Sequence, residues 1–250
     1  MRAYTMSRRH QPICALAACF VLFGTSLAAR AQSLSVNPVN IFMAPGETAT
    51  TLTVTNHGNS GTAIQIRAYA WSQQGDDDQL TATNEVVVSP PLATIGPGSD
   101  QVVRLILRHA PKARESTYRI VLDQIPPPAE SGIVHIVLRM SIPIFALPAT
   151  RATPHPQFHA EINAGQLYLV AVNDGLRHER IRDIDLTASD GRKLKEAPGL
   201  SPYLLAGVTR RWNIVGEGAL PSPGETLRLS AQSDGGKIEE QVRVIPTQSE

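Results

Sequence analysis

The sequence predicts an all-β protein built from two β-sandwich domains in tandem. Three observations lead to this fold class. The 250 residues include 18 glycines and 19 prolines, more than a helical protein of this length tolerates. Short segments rich in Val, Ile, Leu and Thr recur between turn sequences, as expected for antiparallel strands. Finally, no stretch after Gln32 keeps a helical period through ten residues.

The composition narrows the classes of function. Charged residues make up 18% of the chain, aromatic residues 5%, and the formal net charge is +1. This balance gives no reason to expect binding to nucleic acid, and it argues against general disorder. The length suits either one large domain or two small ones, each able to bury a core.

Residues 1–31 have the form of a secretory signal peptide. A basic start precedes an apolar run from Ile13 to Ala29, and small residues follow at the positions that a signal peptidase reads, ending at Ala31. The alternative is a membrane anchor, but the run is short and is interrupted at Gly24–Ser26. We therefore expect export without stable insertion into a membrane.

Cleavage at this site changes the net charge and the cysteine content of the chain. It removes four of the 23 basic residues and no acidic residue, which leaves a net charge of −3. It also removes Cys14 and Cys19, the two cysteines of the sequence. A mature protein without cysteine has no disulfide, no thiol nucleophile and no thiolate metal site, so its cores must stabilise it.

The N-terminal domain is predicted to span residues 32–148, and strands recur along it between turns. An antiparallel sandwich accommodates such a series. The predicted strands are Thr48–Thr55, Ala63–Trp71, Val86–Val88, Gln101–Arg108, Tyr118–Ile125 and Ile133–Phe145.

Residues 149–156 interrupt the strand pattern with prolines and small residues and are predicted to be a linker. A smaller C-terminal β-sandwich domain follows at 157–250, with turns such as Asn173-Asp174-Gly175 between its strands. The predicted strands are Gln166–Val172, Ile181–Ala188, Thr209–Ile214, Leu227–Ala231 and Glu239–Val244.

Catalytic motifs are missing from the sequence. It contains no Gly-x-Ser-x-Gly elbow, no phosphate-binding glycine loop and no His-Glu-x-x-His zinc motif. His155 and His159 are separated by Pro156, so no helix presents them on one face. The run Asp76–Asp78 could attract a hard cation, but a solvated loop tip is the simpler interpretation. The sequence therefore predicts no enzyme, no metal and no cofactor.

The pair of long apolar segments, Tyr118–Ile125 and Ile133–Phe145, is the most informative feature. They are joined by a proline-rich loop. In the second segment one alternate row is entirely large and apolar, whereas the other row is mixed. The apolar row consists of Val134, Ile136, Leu138 and Met140.

The pairing register of these segments determines where two arginines lie. If Ile125 pairs with Ile133, then Arg119 lies directly opposite Arg139. Like charges repel in that position unless an anion lies between them, and a pair of arginines can bind a carboxylate. Two alternatives carry equal weight: a shifted register, or the pairing of each arginine with an internal acid such as Glu115 or Asp123.

A series of short motifs occurs in order along the mature chain. They are Asn37–Ile41, Pro45–Glu47, Val103–Leu105, Arg114–Ile120, Gln124–Pro127, Ser141–Phe145, Tyr203–Gly207 and Arg210–Trp212. In these motifs the chain resembles the periplasmic chaperones of the chaperone–usher pilus pathway. The resemblance spans nearly the whole mature chain, and in the C-terminal domain it is to the archaic branch that serves spore-coat-like pilins.

The resemblance implies two immunoglobulin-like domains set at an angle, with a cleft between them. It also implies that the last strand of the first domain is lent to a pilin subunit that lacks its own final strand. The donated row would be Val134, Ile136 and Leu138, followed by Met140. The same alternation fits an ordinary strand that faces the core.

The sequence departs from the family at the anchor for the carboxylate of the subunit. The better-known branch has an arginine and a lysine at places that correspond here to Asn40 and Pro143, which are uncharged. Arg119 and Arg139 are therefore the substitute candidates, with Arg104 next. A structural arginine beside Glu115 is the alternative interpretation of Arg104.

The resulting hypothesis is a periplasmic chaperone without enzymatic activity, whose partners are pilin subunits and an outer-membrane usher. A secreted or surface β-sandwich protein with a structural or adhesive role is the alternative. A secreted hydrolase ranks third, because the sequence offers no convergent cluster of histidines and carboxylates. Fold by itself does not decide among these functions.

Overall fold

The computed structural model describes residues 34–128, 131–132, 136–199 and 201–246, and these ranges contain strands but no helix. The predicted signal peptide lies outside them. The first ten strands are β1 (Leu34–Asn37), β2 (Ile41–Met43), β3 (Ala49–Asn56), β4 (Thr62–Gln74), β5 (Asp77–Ala82), β6 (Val86–Ser89), β7 (Leu92–Ile95), β8 (Asp100–Leu107), β9 (Ser116–Ile125) and β10 (Arg139–Ala146).

Eight strands follow in the C-terminal half of the described chain. They are β11 (Pro156–Asn163), β12 (Gln166–Asn173), β13 (Glu179–Thr187), β14 (Lys193–Glu196), β15 (Tyr203–Leu204), β16 (Val208–Val215), β17 (Thr226–Ser233) and β18 (Gly236–Pro246). The predicted all-β fold with two sandwich-like domains is confirmed.

The N-terminal domain packs two sheets face to face. One sheet has the order β1-β3-β8-β6, and the other has the order β2-β10-β9-β4-β5 with β7 also on β4. Alternate residues of the strands point inward, because side chains alternate between the faces of a sheet. The most deeply buried of them include Leu52, Val54, Ile64, Val103, Ile120, Leu122 and Ile144.

The first strand of this domain is divided between the two sheets. β1 pairs antiparallel with β3, whereas β2 pairs parallel with β10. The break at residues 38–40 begins with Pro38, which has no N–H to donate to a ladder. Both sheets thus receive part of the same chain segment.

The C-terminal domain is a sheet that closes on itself. Its order is β14-β16-β12-β11-β18-β17-β13-β15, and β14 also pairs with β13. The pairing of β14 with β13 closes seven strands into a ring. Within this ring, β11 pairs antiparallel with β12 and parallel with β18. The fully buried Trp212 lies in the core of this ring.

Several strands were not predicted from the sequence. In the N-terminal domain these are β1, β2, β5 and β7, which are short or, in the case of β5, exposed along their whole length. In the C-terminal domain they are β11, β14 and β15. The strand predicted at Ile133–Phe145 begins only at Arg139; residues 136–138 form no strand, and 133–135 lie outside the described chain.

A buried asparagine holds the same place in both domains. Asn56 ends β3, Asn173 ends β12, and both are inaccessible to solvent. Each Nδ2 donates to three main-chain carbonyls at 2.8–3.3 Å, and each Oδ1 accepts the N–H of the residue two positions on. The carbonyls belong to Ser60, Ile95 and Gly96 in one domain and to Arg177, Leu204 and Leu205 in the other.

We expect Asn173→Asp to destabilise the protein strongly, by about 3 kcal/mol or more, because a carboxylate has no N–H to donate and leaves buried carbonyls without a partner. Urea unfolding at neutral pH measures the loss. Asn163→Asp, at the partly exposed end of β11, is the matched control and should change stability little. Equal losses in the two variants would contradict the structural role of Asn173.

Candidate functional site

The apolar segment predicted to bind a subunit is exposed where the structure describes it. Ile136 is 94% exposed and Leu138 is 39% exposed, whereas Met140 is half-buried against the core of the N-terminal domain. The three residues lie at every second position of the chain. Met140 packs against the core, whereas Leu138 and Ile136 lie outside it. Val134 lies outside the described residues.

The main chain next to this segment has an open edge. β10 pairs with β9 from Arg139 to Ala146. On its other side it pairs with β2 only at Ile144–Ala146. Among the residues that the structure describes, Arg139–Pro143 therefore has a strand partner on one side alone. Such an edge presents N–H and C=O groups that can pair with a further strand.

The pairing of β9 and β10 follows the alternative of a shifted register. Arg139 lies opposite Asp123, and Arg119 lies opposite Pro143, so the pairing is shifted by four residues from the one that would bring the two arginines together. An even shift leaves every side chain on its predicted face, which is why the apolar alternation could not exclude it. Arg119 and Arg139 therefore do not face each other across the ladder.

Arg139 pairs with an internal acid instead. Asp123 bridges two arginines: its Oδ1 accepts from Nε of Arg139, and its Oδ2 accepts from Nη2 of Arg67 at 2.5 Å. Burial acts to raise the pKa of Asp123, but the hydrogen bonds from Arg139 and Arg67 outweigh it, and the pKa lies below its usual value. Because the folded-state pKa is lowered, this contribution to stability is present above the pKa of the unfolded chain. It is lost as the pH falls through the lowered value.

Arg104 lies away from these groups. It belongs to β8 of the other sheet, between Thr51 and Ser89, and its side chain is exposed. Its position excludes the alternative of a buried arginine beside Glu115.

Arg119 faces the C-terminal domain. Its guanidinium carbon lies 3.7 Å from the centroid of the Trp71 ring and 5.5 Å from that of Tyr203, and its side chain is only 11% exposed. Burial lowers the pKa of Arg119, and Asp78 opposes this effect. The two rings belong to a buried apolar cluster between the domains, formed by Trp71, Phe145, Tyr203 and Leu205.

Asp78 bridges Arg119 to an arginine of the C-terminal domain. Its Oδ1 accepts from Nη1 of Arg210 at 3.0 Å and from Nε2 of Gln73 at 2.9 Å, and its Oδ2 lies 3.4 Å from Nη2 of Arg119. The expectation of a solvated loop tip at Asp76–Asp78 is therefore wrong for Asp78. Burial raises the pKa of the neighbouring Asp76, and the charges of Arg211 and Arg210 oppose this effect.

The analysis of the sequence missed Arg210 as a functional residue. Its side chain is 2% exposed and occupies the inward row of β16, together with Trp212 and Ile214. A charged residue in an otherwise apolar inward row was the available signal. Its partner across the cleft could not be found in this way, because Asp78 is brought there by the β4–β5 hairpin.

Further contacts between the domains hold the walls of this cleft in place. Gln73 acts like a piece of main chain, since its Nε2 donates to the carbonyl of Tyr203 and its Oε1 accepts the N–H of Leu205. On the other side of Phe145, Oε2 of Glu115 accepts both the backbone N–H and Nδ1 of His178 at 2.8 Å. The His178 ring stacks on Phe145 with the centroids 3.6 Å apart.

No metal site or membrane span is found in the described part of the chain. Its His, Asp and Glu side chains form no group of three or more with the geometry to hold a metal ion. The same ranges hold no helix that is long and apolar enough to cross a membrane.

Comparison with known proteins identifies relatives of the N-terminal domain. Residues 33–152 match the family described as "Pili and flagellar-assembly chaperone, PapD N-terminal domain". The chain is 28% identical to the chaperone protein PapD of Escherichia coli over 165 residues, which is 64% of either chain. It is 30% identical to the chaperone protein FaeE of Escherichia coli over 118 residues, 46% of this chain and 44% of FaeE. The chain thus spans less than two thirds of the length of these relatives.

Solved structures extend the likeness of fold to both domains. A chain of the CsuC–CsuE complex of chaperone and tip adhesion subunit, from archaic chaperone–usher pili of Acinetobacter baumannii, matches with a TM-score of 0.65 and 22% identity, covering 86% of this chain and all of that one. The YadV chaperone matches with a TM-score of 0.60 and 17% identity, covering 84% and 98%. Together with the match of residues 33–152 and the similarity to PapD and FaeE, these structures confirm the resemblance to pilus-assembly chaperones that the sequence motifs carry.

We expect Glu115→Ala to lower the free energy of unfolding by about 2–3 kcal/mol, because two buried donors of His178 lose their acceptor. Urea unfolding followed by fluorescence measures the change. Glu85→Ala is the matched control, since Glu85 forms the same kind of pair with His109 at 2.8 Å but on the exposed surface. The role of the buried pair would be contradicted if both variants lost the same small amount.

Proposed function

We propose that this protein is a periplasmic chaperone that binds pilin subunits by donating a β-strand and delivers them to an outer-membrane usher. The proposal rests mainly on one observation: the open edge of β10 continues directly into the exposed apolar residues Leu138 and Ile136. The role is non-enzymatic and uses neither cofactor nor nucleotide. The confirmed resemblance to pilus-assembly chaperones supports it.

Strand donation needs two kinds of interaction, and this segment offers both. Main-chain N–H and C=O groups along Arg139–Pro143 can extend a partner's sheet, which gives affinity with little dependence on sequence. Apolar side chains on one face of the adjoining residues can fill an open core, at about 25 cal/mol per Å² of apolar surface buried. Ile136 and Leu138 lie outside the core of their own domain, so donating them does not require that core to open.

The C-terminal domain is unsuited to donate a strand in this way. Its first strand, β11, pairs on both sides and closes the ring of strands. Its role in the proposal is to form the second wall of the cleft, at Tyr203 and Arg210.

For the carboxylate of a bound subunit, Arg119 is the candidate anchor that the geometry favours. It lies in the cleft between the domains, next to Arg210 across Asp78. Arg139 is exposed and pairs with Asp123 outside the cleft, and Arg104 is exposed on the other sheet. A carboxylate in the cleft would be shielded from water, where hydrogen bonds from a guanidinium are strong.

We expect Ile136→Asp to abolish capture of the subunit, because a charge cannot enter an apolar groove. The protein is tagged and co-expressed in the periplasm with each pilin-like subunit of the same genome, and the complex is isolated through the tag. Val102→Asp is the matched control, since Val102 is an exposed aliphatic residue on the other sheet. Failure to recover any subunit with the unaltered protein would overturn the proposed function in favour of a structural or adhesive role.

The anchor is tested by Arg119→Gln in the same co-expression system. We expect complexes at least tenfold weaker, since breaking a buried charged pair costs on the order of 2–5 kcal/mol. Arg139→Ala and Arg104→Ala should weaken the complex much less. Affinity is measured by competition with the unaltered, differently tagged protein, and an equal effect of all three substitutions would remove Arg119 from the anchor role.

A further inference from the structure

Two arginines in the cleft between the domains share one carboxylate in direct contact. Asp78 is the acidic group in direct contact with both Arg119 and Arg210. Its Oδ1 is well held, by Arg210 at 3.0 Å and by Gln73 at 2.9 Å. Its Oδ2 is 3.4 Å from Arg119, well beyond the 2.7–2.9 Å that is usual between a guanidinium and a carboxylate.

Arg119 therefore has N–H groups that can serve another acceptor. A guanidinium has five N–H groups. Within the described residues, the hydrogen bond to Asp78 is the one that Arg119 donates from its side chain. The Trp71 ring, 3.7 Å from its guanidinium carbon, covers one face. Burial lowers the pKa of Arg119, and the charge of Asp78 only partly offsets this effect.

We propose that Asp78 is an internal stand-in for the carboxylate of a ligand. Its Oδ2 faces Arg119 in the unbound protein and is displaced from it when a carboxylate enters, while its Oδ1 stays bound to Arg210 and Gln73. This inference rests on the proposed function, because it assigns Arg119 as the carboxylate site. Asp78 then sets the affinity of that site, since its charge opposes any second anion.

The position of Asp78 permits this exchange. β5 is the last strand of its sheet, pairs with β4 alone and is exposed along its whole length. The side chain of Asp78 is 26% exposed, so water can solvate Oδ2 when Arg119 turns to another acceptor. The stand-in keeps Arg119 charged and in place without a ligand, and it limits the affinity of the site so that a subunit can later be released.

Trp71 provides a readout that needs no subunit. Its indole fluorescence should respond when the neighbouring guanidinium changes partner. The protein is titrated with sodium acetate at constant ionic strength, with acetamide as the neutral control of the same shape. The protein contains two tryptophans, so the loss of the response in Trp71→Phe assigns the signal, and its loss in Arg119→Gln assigns the site.

We expect Asp78→Asn to bind acetate about fivefold more tightly than the unaltered protein, which corresponds to removing the repulsion of two unit charges about 4 Å apart in water. Asp78→Glu keeps the charge and should bind acetate as the unaltered protein does. Asp77→Asn removes the adjacent charge on β5, and its affinity should also be unchanged. The melting temperature of each variant shows whether it is folded.

Two results would overturn the inference. Equal affinity of the unaltered protein and Asp78→Asn would mean that Asp78 does not compete for Arg119. No response to acetate in either protein would mean that Arg119 does not bind carboxylates. Neither result touches strand donation, which fails only if Ile136→Asp and the unaltered protein behave alike in subunit capture. Tighter binding by Asp78→Asn together with slower release of a captured subunit would support both proposals.

Discussion

The partial cover of β10 by β2 is the constraint on which the proposed site depends. β2 is three residues long and satisfies only the end of the strand, Ile144–Ala146. A full-length neighbour would close the edge and leave no hydrogen-bonding groups for another chain. A missing neighbour would expose the buried end of β10 as well. The division of the first strand between two sheets at Pro38 therefore sets both the stability of the domain and its capacity to bind.

The C-terminal domain helps to fix the positions of the side chains at this site. Gln73 binds its main chain as a strand would, and Glu115 binds His178 with no water access. Buried polar contacts of this kind add little net stability, but they are costly to break one at a time, so they favour one arrangement over its neighbours. Arg119 and Arg210 are thereby held on either side of Asp78.

Features of the fold that follow from the periodicity of apolar residues could be predicted from the sequence. Features that depend on contacts between distant residues could not. Apolar alternation predicted the all-β fold and most of the long strands. It could not fix the register of β9 and β10, because a shift of four residues preserves parity. Asp78 looked like a loop residue because its partners, Arg119 and Arg210, lie 41 and 132 positions away. Motif resemblance pointed to the family but not to these partners.

The buried asparagines show how alike the two domains are. Asn56 and Asn173 end equivalent strands and bind equivalent loops, and each domain joins its first and last strands in parallel. The copies differ in whether the first strand is continuous. If they descend from one duplicated module, an interruption of three residues left one copy with an edge that its own first strand covers only in part. An open edge can thus arise without any change to the buried asparagine that joins strand and loops in each domain.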